Sequence, residues 1–265
     1  APSQLIKVVG WLQLVLPALV LALGLALDVP EVILPFVLLS ACSGAVFASP
    51  ALAHLFGLDR EQAARIMILS TLLMPFSLAL FVGPLVGMDN LYAFEIFGLR
   101  VAVFLVLPIT LVFMLRLLEH VTAAKDCDEA CVEKAERIDT FSTRLGMFAL
   151  AVFAAGIMQG VAEHVASEPG MMLALFCGAL AVNLGMTTAS RLALHPLGIK
   201  IAHTASIIAM TRNVGLAYAM TATFFGPMLA QYVALCQVPL LVGPVLLRLW
   251  QSKLVTSPQT EVRAA

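Results

Sequence analysis

The sequence predicts an all-α polytopic membrane protein of about eight transmembrane helices, and three observations carry that prediction. Of its 265 residues 61% are hydrophobic and only 12% charged, with a mean hydropathy of +1.00, which leaves too little polar surface to cover a water-soluble globule. Apolar runs long enough to cross a bilayer recur between charged or Pro/Gly clusters, at 4–27, 31–56, 62–87, 93–118, 140–162, 170–194, 200–225 and 227–250. The cationic residues fall on alternate connections. A net charge of -1 and a pI near 6.6 give no broad basic field, so the expected partner is the lipid bilayer and not nucleic acid.

The first run, Val8 to Leu27, has no signal-type cleavage site before the next run, so it reads as a transmembrane helix of a processed or truncated chain opening at Ala1. Cations follow at Lys7, then Arg60 and Arg65, then Arg116, Lys125, Lys134 and Arg137, then Arg191 and Lys200, then Arg248, Lys253 and Arg263. The connections around Asp28 to Glu31, Asp89 to Glu95, Glu163 to Glu168 and Gly226 to Pro227 carry essentially none. This alternation places both termini and the charged loop Ala123 to Asp139 in the cytoplasm, for a multi-pass protein of the inner membrane. The loop's charges lie at helical spacing, as on a solvated connecting helix. Its Cys127 and Cys131 have no histidine at metal spacing, so no metal site is expected there. With Cys42, Cys177 and Cys236 they make an odd set of five, mostly inside apolar runs, which reads as small core residues and not as a disulfide framework.

Two runs depart from the rest. The second contains SACSGAVFASPALA, Ser40 to Ala53, rich in small residues and ending its first half before Pro50; the seventh contains AMTRNVGLA, Ala209 to Ala217, with Arg212 midway along it. At a constant offset Ala48 falls on Asn213, and Ala51 to Ala53 fall on Leu216 to Tyr218. The first run goes from inside to outside and the sixth from outside to inside, so runs 1–3 and 6–8 read as inverted repeats. Gly/Pro-interrupted helices at matching places of inverted halves mark the central site of a transporter core with two discontinuous crossing helices. Small residues that merely allow close helix packing are the competing explanation.

At this point the residues resemble a family. The stretch from Pro17 to Ser77, with STLLMP at Ser70 to Pro75, followed by TRNVGLAYAM at Thr211 to Met220, is similar to the bile acid:sodium symporter superfamily, as in a divergent bacterial-type member. Its fourth, fifth and ninth helices carry CCPGGTASN-like, STLL.P and GMQNSGLA-like motifs. The resemblance implies a ten-helix plan of two inverted repeats, of which this chain matches the third to tenth helices. The first two panel helices are then absent by truncation or reduction, or a homodimer supplies the missing wall. Residues 1–87 would form the first core repeat, 88–169 the panel helices and cytoplasmic loop, 170–252 the second core repeat and 253–265 a cytoplasmic tail.

The implied activity is secondary transport of a small organic anion by alternating access, with no catalytic residues and no cofactor. Where sodium-coupled members carry a serine-asparagine pair the chain has Ala48 and Ser49; Thr71, beside Ser70, matches a threonine. The family's bridging glutamate falls at Ile208 and its glutamine at Arg212, while Asn213 is kept. Thr71, Ser70 and Ser49 are thus the candidate ion ligands. Loss of the anionic ligand makes a poor site for a hard cation, so either Na+ or H+ stays open as coupling ion.

A cation deep in a span persists where it is paired or lines a watery cavity. Arg212 is therefore the leading candidate for binding the anion, bidentately, in roughly the place of a sodium ion; pairing with an acid or with carbonyls is the structural alternative. Asn213, Thr211, Ser43 and Ser49 are candidate neutral hydrogen-bond partners of the substrate or of broken backbone. His203, about 13 Å along the same helix, is a candidate proton relay or a solvated cytoplasmic-side residue. Arg100, Arg144 and Glu163 read as interfacial. Two other classes stay open: an arsenite-type metalloid carrier using Cys42 as soft ligand, and a non-transporting membrane protein. No HExxH or GxSxG motif favours an enzyme.

Overall fold

A computed structural model describes residues 2–86, 161–226 and 228–255, with single positions between 95 and 158. Most of the predicted spans 93–118 and 140–162, and all of the charged loop with Cys127 and Cys131, Arg144 and the tail beyond 255, lie outside the described residues. Among the described residues the regular structure is helical, and the sole β feature is an isolated bridge. Three helices are long and apolar enough to cross a membrane: Ser3–Ala26, Arg60–Leu85 and Pro169–Ala193.

The first of these is interrupted. Helix α1 (Pro2–Gly10) passes through a π turn (Trp11–Val15) into α2 (Leu16–Ala26). Pro17 sits at the junction and has no N–H, so neither the Leu12 carbonyl in π register nor the Gln13 carbonyl in α register receives a bond from it. A chain-reversing cap ends α2: Val29 N–H reaches Gly24 O at 2.9 Å, with Asp28 at φ 49° between them.

The second run divides into α3 (Leu34–Cys42) and α4 (Ser49–Leu55), separated by unwound chain. Every residue of α3 is buried, as expected of a helix apolar on all sides. At the end of α4, Gly57 adopts φ 69°, and Leu58 N–H reaches Ala53 O and Gly57 N–H reaches His54 O, both at 2.9 Å. That pair of bonds requires a left-handed residue, which glycine adopts without steric cost. Helix α5 (Arg60–Phe81) begins at Asp59, whose carboxylate accepts from Glu61 and Gln62 N–H.

In the second half, α6 (Val161–Ser167) leads into α7 (Pro169–Ala193). The seventh run divides into α8 (Ile199–Met210) and α9 (Val214–Thr221), and α10 (Met228–Val255) follows. Two apolar clusters form the interior. One joins Leu38, Met74, Leu175, Val214 and Tyr232; the other joins Leu12, Ala45, Ile66, Met186 and Ile208. The outward faces are apolar too, with Phe76 66%, Leu192 71% and Leu241 68% exposed. Such surface fits a lipid bilayer and not water.

Candidate functional site

The two breaks meet between the apolar clusters. Ala45 and Arg212 form an antiparallel bridge: Val46 N–H donates to Thr211 O at 2.9 Å and Asn213 N–H to Gly44 O at 2.7 Å. The backbone groups orphaned by one broken helix are thus answered by the other, the condition for irregular chain to persist away from water. Gly44 makes the approach possible. A Cβ there would lie 2.9 Å from Thr71 Cα and 3.0 Å from Thr71 Oγ1, so a side chain would push the unwound segment off α5.

Side chains complete the capping. Ser70 Oγ accepts from Ala45 N–H at 3.3 Å and donates to Met67 O at 3.0 Å. Asn213 Oδ1 accepts from Leu216 N–H at 3.1 Å and so caps α9. Thr211 gives its one hydroxyl proton to Ile207 O at 2.8 Å, so the 3.0 Å contact between Ser49 and Thr211 has Ser49 as donor. Ser43 Oγ donates to Leu39 O at 2.7 Å. Thr71 Oγ1 is buried and without a partner.

Arg212 lies at the centre, 1% exposed. Its Nη1 donates to Ser43 O and its Nη2 to Leu12 O at 2.8 Å, while Nε has no partner. Among the described residues no carboxylate is in ion-pair contact with it; the acceptors are main-chain carbonyls. The fork therefore spans from the unwound segment after α3 to the π turn of the first helix. The Leu12 carbonyl is available because of Pro17, and its neighbour, the Gln13 carbonyl, accepts from Ser77 Oγ at 2.7 Å. Gln13 itself is buried and donates Nε2 to Ser43 O at 3.2 Å. Its Oε1 is unpartnered.

Of the residues singled out from sequence, Ser43, Ser49, Ser70, Thr71, Thr211, Arg212 and Asn213 all come together at the crossing. Ile208 is fully buried in an apolar cluster. Cys42 is buried in the other cluster, and among the described residues no three His, Cys, Asp or Glu side chains are grouped as metal ligands. His203 lies on α8 with its Nε2 buried and unpartnered. Arg100 reaches the Ala219 carbonyl on α9 at 3.3 Å; Glu163 is exposed on α6.

Two participants belong to no motif of the sequence. Gln13 joins α1 to the crossing, and Asn183 on α7 donates Nδ2 to the terminal carbonyl of α8, Met210 O, at 2.7 Å. Each is an amide inside an apolar run, a signal that a polar group has buried work to do. Ser40 bonds Tyr232 at 2.8 Å. Beside the crossing is a cavity of about 10 Å³ lined by Ser40, Asn183, Met210, Arg212, Cys236 and Pro239. A larger depression of about 360 Å³, lined by Gln4, Asp59, Glu61, Gln62, Arg65 and Ile201, lies where α1, α5 and α8 begin, away from the crossing.

No protein-family model matches the chain, and no curated protein matches it.

Proposed function

We propose that the chain is a secondary active transporter, built as an inverted-repeat core like that of the bile acid:sodium symporter superfamily, that carries a small organic anion by alternating access. One observation supports this above the others: two broken apolar helices are joined backbone to backbone at Ala45 and Arg212. Breaks of this kind present half-helix ends to a solute. In this reading the guanidinium of Arg212 is a tethered cation, occupying with Leu12 O and Ser43 O the role that a bound sodium has in coupled relatives. Transport is then independent of sodium, because the cation never leaves.

Arg212 supplies the positive field that attracts the anion, and Asn213, partly exposed at the start of α9, supplies the nearest neutral donor. Ser43 and Thr211 give their hydroxyl protons to carbonyls of their own helices and Ser49 bonds Thr211, so their part is to satisfy the broken helix ends. The core rocks against the panel helices in the inner membrane, with both termini cytoplasmic.

Counterflow in proteoliposomes tests this, with a panel of short carboxylates and a sodium, potassium or pH gradient. Carboxylate exchange without sodium is expected, with Arg212→Lys reduced about 10-fold because an ammonium cannot bridge two carbonyls and an anion at fork geometry. Uptake that requires sodium, or that is unchanged in Arg212→Gln, would falsify the reading. Arsenite resistance lost in Cys42→Ser would instead favour the metalloid class.

A further inference from the structure

The cavity beside the crossing has the composition of an ion site. Its volume of about 10 Å³ is room for one water-sized particle. Arg212 contributes a full positive charge, with two N–H groups on carbonyls and the Nε–H on nothing. Carbonyl dipoles soften that charge without cancelling it. A buried cation without a counter-charge is strongly unfavourable.

The cavity lining offers further donors. Asn183 is oriented by its bond to Met210 O and retains a second N–H on the same nitrogen. Ser40 Oγ contacts Tyr232 Oη at 2.8 Å and Cys236 Sγ at 3.8 Å, a hydroxyl and thiol cluster in which either atom of each pair can be the donor. A guanidinium with neutral donors around one small void is complementary to a small anion. We propose that this cavity binds a halide-sized monatomic anion, chloride in a cell, as the counter-ion of Arg212. The site would stabilise the crossing whether or not the chain carries solutes.

The experiment is thermal unfolding of the purified full chain in detergent, followed by tryptophan fluorescence, with chloride or bromide replacing gluconate at constant ionic strength. A rise of about 3–5 °C in the midpoint by 100 mM halide is expected, against no rise with acetate or sulfate. Arg212→Gln should abolish the response. So should Ala179→Val, which puts two methyl groups into the cavity wall and leaves the guanidinium intact; it carries the test alone if Arg212→Gln does not fold. No halide response, an equal response to every anion, or a full response in Ala179→Val or in folded Arg212→Gln overturns the proposal. The halide response is read from unfolding and the carboxylate exchange from transport, so the two readings fail separately.

Discussion

The Arg212 guanidinium donates to the main-chain carbonyl of Leu12 at 2.8 Å, tying together residues 200 positions apart in the chain. The bond exists because a proline and a π turn in the first helix leave that carbonyl unanswered. It makes the first helix a third strut of the crossing, alongside α3 and α8.

Pro17→Ala tests that strut, with an unusual sign. A proline removed from a helix interior ordinarily stabilises by restoring a backbone bond. Here the restored N–H would compete for the Leu12 or Gln13 carbonyl with Arg212 or Ser77, so a net loss of about 1–3 kcal/mol is expected. A higher unfolding midpoint in the alanine variant would show that the π turn is not what holds Arg212.

Gly44→Ala should cost about 1–3 kcal/mol, because the added methyl meets the backbone of Thr71 and neither side can move cheaply. Gly185→Ala on α7, where nothing lies within 4 Å of the new methyl, serves as the matched control and should be neutral or stabilising. Chemical denaturation of the two variants side by side measures the difference.

Ser49 and Thr211 should behave as a coupled pair. Ser49→Ala, Thr211→Val and the double variant form a cycle whose interaction energy is expected near 0.6 kcal/mol and under about 1.7 kcal/mol, the range of hydrogen bonds between membrane helices. Additive single effects would place the two hydroxyls out of contact.

Asn183→Leu removes the donor that answers Met210 O at the end of α8 and should destabilise by about 1–3 kcal/mol. The loss should be larger than that of Gln237→Leu, because Gln237 donates to the Val233 carbonyl within its own helix. Equal losses would mean that the terminal carbonyl of α8 finds another partner.

The apolar runs at 4–27, 62–87 and 170–194 were legible because hydropathy over a bilayer length is a property of composition, and each appears as a long helix. The breaks in the second and seventh runs were legible as well, from Gly44, Pro50 and the polar triplet Thr211 to Asn213. Gln13 and Asn183 were not, since a lone amide in an apolar run carries no sign of its partner. The inward neighbours of Ile208 were equally hidden.

What the sequence by itself determined was local: which segments are apolar, where helices must break, and that a permanent cation lies between them. What only the tertiary structure decided was how that cation is satisfied. Its acceptors are the carbonyls of Leu12 and Ser43, and every residue has such a carbonyl. No side-chain type marks the one that will be free; helix register at Pro17 and the approach of distant chain at Gly44 select it.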